Sequence, residues 1–252
     1  MLPWPPDPAL AGLRLVVTGG SRGVGGAVVE AAHAAGATVG IGHLQSQEPV
    51  QASAARDPER LIPLRFDVAD AEATEEALRA FAEHAGGLDA LVCCAGIATP
   101  GLLTRQPVDR LAREIAVNLV GTLVSARAAL PHLAAAGGGT VVTVSSAAAR
   151  MPQAGQTAYA ASKGGVEAFT RALATEAAAQ NVRAVCVRLG LTETNMLAEV
   201  SEAVRTQTAA RALTPDVASP ACIARHLLGL LAAGDRLTGS VVDLSGGYGH
   251  AW

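Results

Sequence analysis

Tyr159 and Lys163 stand four residues apart in Tyr-Ala-Ala-Ser-Lys, and Ser146 lies thirteen residues before the tyrosine, closing the apolar run Gly139-Thr-Val-Val-Thr-Val-Ser-Ser. Positions i and i+4 of a helix share a face, so the phenol and the ammonium point into one cleft while a strand end delivers the Ser146 hydroxyl beside them. A free tyrosine titrates at about 10, too high for ready proton exchange near neutrality. A close ammonium favours the phenolate, so Lys163 is expected to lower the pKa of Tyr159 and make it a general acid/base. Such pairs also arise on solvated helix faces, but Tyr159 and Tyr248 are the only tyrosines, and aromatics make up 3% of the chain. Ser145 is a neighbouring hydroxyl; the alternation of side chains along a strand selects Ser146 instead.

The second chemical signal is the stretch Leu15-Val-Val-Thr-Gly-Gly-Ser-Arg-Gly-Val-Gly-Gly26, followed by an apolar helical run from Ala27 to Ala35. It reads as strand, tight turn and helix. Gly19, Gly23 and Gly25 let the backbone turn sharply and admit a pyrophosphate to the free N–H groups at the helix N-terminus. A further strand, Thr38 to Gly42, closes a βαβ unit, the context in which a glycine triplet becomes a dinucleotide site.

Together the two signals resemble the short-chain dehydrogenase/reductase family, of the ketoreductase-like kind, over nearly the whole chain from about Leu13 to Tyr248. The family's Thr-Gly-x3-Gly-x-Gly falls on Thr18, Gly19, Gly23 and Gly25, and its Ser, Tyr and Lys on Ser146, Tyr159 and Lys163. The resemblance adds Asn118 in Ala-Val-Asn-Leu as a fourth catalytic residue holding a relay water, and Asp67-Val68 as the border of the adenine. It also implies roles in cofactor binding for Ser21, Val24, Ala95, Gly96, Gly190, Thr192 and Thr194, and association into a homo-oligomer, a tetramer or dimer. Two departures stand out: the family's Asn-Asn-Ala-Gly is Cys93-Cys94-Ala95-Gly96, and its Pro-Gly is Leu189-Gly190. The first removes a bracing amide, so a repacked sheet floor is expected; the second removes a φ-fixing residue beside the nicotinamide.

The implied reaction is hydride transfer between C4 of a nicotinamide and a carbonyl or carbinol carbon. Tyr159 would protonate the developing alkoxide, Ser146 would hold its oxygen, and Lys163 would also hold the nicotinamide ribose. NAD-using folds carry an acidic residue after the second strand; that place reads Gly42-His43-Leu44-Gln45, with no carboxylate to repel a 2′-phosphate. Arg22 offers a cation, and His43, Gln45 or Ser46 further donors, so NADP(H) is favoured over NAD(H), and reduction over oxidation. The rival reading is a catalytically idle dinucleotide-binding sensor, against which the intact Ser, Tyr and Lys set argues.

Strands are predicted near 14–18, 38–42, 61–66, 90–94, 140–144, 183–188 and 240–244, with helices between them. This alternation predicts an α/β chain: a single-domain Rossmann fold with a seven-stranded, parallel, doubly wound sheet and helices on both faces. Residues 1–12 are expected to be a loose arm, residues 13–252 one domain, and 192–215 a substrate lid. Met151 and Met196, with Thr99, Leu102, Leu103, Arg150, Pro152 and Gln153, are expected to border a largely apolar pocket for a small carbonyl or alcohol.

The 252 residues suit one such domain, and a net charge of −3 without a basic stripe argues against nucleic acid as a partner. The start, Met-Leu-Pro-Trp-Pro-Pro-Asp-Pro, lacks the features of a signal peptide, and no stretch reads as a membrane span, so a cytoplasmic location is expected. The four cysteines lack metal-ligand spacing and read as small buried thiols.

Overall fold

The computed structural model describes residues 8–45, 47–198, 202–214, 217–232 and 236–248. Seven strands form one parallel sheet: β1 (Arg14–Thr18), β2 (Thr38–His43), β3 (Leu61–Arg65), β4 (Ala90–Cys93), β5 (Gly139–Ser146), β6 (Val182–Leu189) and β7 (Val241–Leu244). Their spatial order is β3-β2-β1-β4-β5-β6-β7. Helices α1 (Gly23–Ala34), α2 (Gln47–Arg56), α3 (Ala71–Ala85), α4 (Val108–Ile115), α5 (Gly121–Ala135), α6 (Thr157–Ala177), α7 (Asn195–Ala198), α8 (Glu202–Ala209) and α9 (Pro220–Ala232) connect them.

Two apolar cores explain why the central strands read as unbroken runs of Val, Leu and Ala. On one face Leu15, Val17, Val39 and Ile41 meet Val28 and Val29 of α1 and Ile223 and Leu227 of α9. On the other Val16, Leu91 and Val141 meet Phe81 of α3, Leu133 of α5 and Leu173 of α6. A strand covered on both faces has no solvated side on which to place polar residues, so alternation disappears.

The chain runs outward from β1 through β2 to β3, then returns to β4 on the opposite side of β1. That reversal opens a crevice at the carboxyl ends of β1 and β4, where parallel α/β sheets bind ligands. The N-terminal segment departs from expectation. Leu10 is 3% exposed within the α1/α9 core, and Gly12 N–H donates to Gly36 O at 3.0 Å, so the arm is anchored at these two residues. Residues 1–7 lie outside the described set.

Candidate active site

The crevice is lined by backbone brought too close for side chains. Gly19 has φ +67°, and a Cβ there would stand 2.8 Å from Ala95 Cα; a Cβ on Gly25 would fall against the Gly19 carbonyl oxygen. Gly23, at φ +58°, faces the Thr194 side chain. Only glycine satisfies these positions, and α1 begins at Gly23 with no side-chain cap on its N–H groups. This bare helix terminus beside a glycine cradle fits a pyrophosphate. Thr18 supports it from beneath: its carbonyl accepts from Cys94 N–H at 3.1 Å and its hydroxyl from Ala95 N–H at 3.2 Å.

Those two bonds also answer the question raised by Cys93-Cys94, since backbone pairing with Thr18 braces β4 against β1. Cys93 is buried and Cys94 half-buried. Burial pushes both thiols up, Cys94 to about 12, so neither is a ready thiolate. Gly190 must also be glycine, because a Cβ there would meet Ser245 O at 2.6 Å.

Around the crevice the other predicted cofactor contacts divide. Ser21 is half-buried and Arg22 is exposed at the entry to α1; Val24 packs on the α1/α9 core. Asp67 accepts from Ala69 N–H at 3.0 Å and pairs with Arg113 at 2.6 Å, while Val68 is buried against Gly121. Thr192 is buried, and its hydroxyl donates to Gly190 O at 3.3 Å. His43 differs from expectation. It is 7% exposed, and its Nδ1 faces Leu64 O at 3.1 Å and Ile41 O at 3.3 Å. Both partners are acceptors, so Nδ1 donates to the backbone and is not available to a phosphate.

On the other side of the sheet's edge the predicted proton-transfer residues assemble. Ser146 ends β5 and Tyr159 stands in the first turn of α6, near enough for the Ser146 hydroxyl to favour the phenolate. Lys163 lies one turn further, 6% exposed, with Nζ 5.8 Å from the centre of the Tyr159 ring. Nζ donates to Val144 O at 2.9 Å. Asn118 sits in a π-helical turn, Ala116–Val120, between α4 and α5. Its side chain is spent on Ile97, accepting from Ile97 N–H at 2.8 Å and donating to Ile97 O at 2.9 Å, with Ser162 Oγ at 3.2 Å.

The expected pKa change of Tyr159 is reversed. Burial pushes the phenol above its ordinary value, the Ser146 hydrogen bond pulls it down, and the Glu114 carboxylate pushes it up again; the net direction is upward. Burial lowers Lys163. The ammonium's hydrogen bond goes to β5 rather than to the phenol, so desolvation outweighs attraction.

Beside this set lies a cleft of about 110 Å³ lined by Ser146, Met151, Gln153, Gly190, Thr208 and Tyr248 among others, none of the lining side chains being charged. Sequence reasoning missed Thr208 and Tyr248 as wall residues. Gln153 Nε2 donates to Thr208 Oγ1 at 2.6 Å and lies 3.5 Å from Tyr248 Oη, a link across 55 and 95 residues of sequence that no local pattern reveals. Thr208, Ala209, Ala212 and Thr214, within the 192–215 segment expected to form a lid, line the cleft. The Met196 side chain, Ser46 and Pro215 lie outside the described residues. Leu102 and Leu103 are 48% and 54% exposed and Thr99 is bonded to Glu114; none of the three lines the cleft.

Among the described residues no group of His, Cys, Asp and Glu is arranged to hold a metal ion, and no helix is long and apolar enough to cross a membrane. A family model described as short chain dehydrogenase matches residues 14–205. The chain is 32% identical to the 3-oxoacyl-acyl-carrier-protein reductase FabG of Chlamydia pneumoniae over 80% of this chain and 82% of that protein. It is 34% identical to cis-4-hydroxycyclohexanecarboxylate dehydrogenase of Sinomonas cyclohexanicum, over 92% and 95%. Among solved structures, a short chain dehydrogenase from Burkholderia cenocepacia J2315 in complex with NADP superposes with a TM-score of 0.89 at 32% identity, covering 96% of this chain and all of that one. A glycine cradle at the sheet's reversal point, a Ser, Tyr and Lys cluster beside it and a match across most of the length lead to one statement: the chain belongs to the short-chain dehydrogenase/reductase family.

Proposed function

We propose that the protein is an NADP(H)-dependent oxidoreductase that reduces a ketone to a secondary alcohol. The observation that carries this reading is the placement of Ser146, at the end of β5, beside Tyr159 in the first turn of α6, with Lys163 buried one turn away, at the mouth of a crevice whose glycines leave room for a pyrophosphate. When bound, the dinucleotide supplies the hydride. Gly19, Gly23 and Gly25 would hold its phosphates at the start of α1. Tyr159, protonated because burial raises its pKa, donates its proton to the carbonyl oxygen, and Ser146 orients that oxygen. Lys163 would hold the ribose and return a proton to Tyr159, and Asn118, bonded to Ile97 N–H and O, would hold the neighbouring segment in place.

Preference for NADP(H) rests on the absence of a carboxylate after β2 and on exposed Arg22; the Burkholderia relative crystallised with NADP is consistent with it. The uncharged lining favours a neutral ketone over a free acid, because an unpaired carboxylate would lose its hydration there. Gln153, Thr208 and Tyr248 offer polar contacts to a second oxygen on the substrate.

The test is turnover of a panel of cyclic ketones and β-ketoacyl thioesters with NADPH and, separately, NADH. NADPH-dependent reduction abolished in Tyr159→Phe is the expected result. Equal or better use of NADH overturns the cofactor assignment, and NADPH binding without turnover across the panel returns the idle-sensor reading.

A further inference from the structure

Glu114 is the one carboxylate that acts on both Tyr159 and Lys163, and it has no part in the mechanism above. It lies on α4, four residues before Asn118, and is 1% exposed. Among the described residues no cation forms an ion pair with it. Its two oxygens are taken by a single residue: Oε1 accepts from Thr99 N–H at 3.1 Å and Oε2 from the Thr99 hydroxyl at 2.7 Å.

Thr99 belongs to the segment that leaves β4, passes Gly96 beside Asn118 Oδ1 and Lys163 Nζ, and reaches Gly101, whose N–H donates to Gly155 O at 3.0 Å. Asn118 grips this segment at Ile97 and Glu114 grips it at Thr99, two clamps from one continuous helical run. An apolar side chain would fill the same space without desolvating a charge, whereas a buried carboxylate is costly. We propose that Glu114 is a positioning residue of this site, its buried carboxylate pinning the chain at Thr99 while Asn118, from the same helical run, pins it at Ile97.

The consequence for proton transfer rests on the reading of Tyr159 as proton donor. In a poorly solvated interior a single charge acts strongly. The Glu114 charge pushes Tyr159 up and also pushes Lys163 up, so both hold their protons more firmly. The other titratable or charged groups facing the pair are Cys93 and Cys94 from β4, and Cys186 from β6. Arg150 follows β5, and the Glu167 and Arg188 ion pair lies one turn along α6. Reduction needs the neutral phenol, so it persists below the pKa of Tyr159 and fails as pH rises through it. Glu114 extends that range upward.

The experiment compares wild-type protein with Glu114→Gln by two readouts: the tyrosinate absorbance titration, taken as the difference from Tyr159→Phe so that Tyr248 cancels, and kcat/KM for reduction against pH. Both midpoints are expected to move down in Glu114→Gln. Thr99→Ala, which keeps the charge and loses the hydroxyl contact, should raise KM several-fold with no movement of either midpoint. Glu114→Asp keeps the charge and guards against loss of fold; its titration should stay with the wild type. An unshifted titration in Glu114→Gln with wild-type cofactor affinity, or an equal downward shift in Glu114→Asp, overturns the inference. A shifted titration with full activity in Tyr159→Phe would sustain it and overturn the proton-donor reading instead.

Discussion

At the residue scale, Tyr159 is held neutral by burial while one Ser146 hydrogen bond favours its ionised form. Burial keeps the proton on the phenol until a stronger base, the alkoxide formed as hydride arrives, takes it. Tyr159→Phe is expected to lower kcat by about 100- to 10,000-fold with little change in dinucleotide affinity, measured by steady-state kinetics and fluorescence titration. Gly25→Ala tests the cradle. The added methyl meets the Gly19 carbonyl, a backbone atom with no room to turn aside, so NADP(H) binding should weaken by at least tenfold while Tyr159 keeps its titration. His43→Gln, by contrast, should leave cofactor preference untouched, because the ring is committed to the carbonyls of Ile41 and Leu64.

Elements are held in place by two charged connections that carry the site without entering it. Under α6, Arg188 grips Glu167 through two bonds of 2.9 and 2.8 Å and Asp243 through one of 3.0 Å, while Ser145 donates to Glu167 at 3.0 Å. This ties the helix of Tyr159 and Lys163 to β5, β6 and β7. Arg188→Met strands a buried carboxylate, so it should cost about 3–5 kcal/mol of stability, read by urea unfolding. Glu167→Gln combined with Arg188→Met should recover part of it. At the other end of the sheet Arg14 of β1 bonds Asp89, at the entrance of β4, from its guanidinium and its backbone N–H. Desolvation pushes Asp89 up, but the Arg14 bonds outweigh it and the net direction is down. A depressed folded-state value gives stability that is present above the unfolded value of about 4 and lost as pH falls through the folded one. The melting temperature should therefore fall below about pH 4, and less steeply in Asp89→Asn.

For the whole molecule, a dinucleotide bound across the crevice between β1 and β4 would meet the glycine cradle and Gly190 together, elements drawn from both halves of the sheet. A ligand that binds only the folded chain at a hundred times its Kd adds about 2.7 kcal/mol. NADPH should thus raise the melting temperature by several degrees, and NADH at equal concentration by less, in a thermal shift series. Equal shifts would remove the preference assigned to Arg22.

The sequence determined the sheet and the reaction class because both are written in local pattern. Unbroken apolar strands between helices dictate a covered parallel sheet, the glycines between Thr18 and Gly25 mark a sharp turn from strand to helix, and Tyr159 and Lys163 share a face by helical geometry. Tertiary structure decided what depends on burial and on partners distant in sequence. It reversed the expected pKa of Tyr159, since desolvation has no signature in residue spacing; it turned His43 into the sheet; it packed Leu10 against α9. It also joined Gln153 to Thr208 and Tyr248, and Thr99 to Glu114. A carboxyl group 15 residues from the partner it bonds among the described residues reads as an ordinary helix residue until folding removes the water around it, and desolvation is a property of the assembled core.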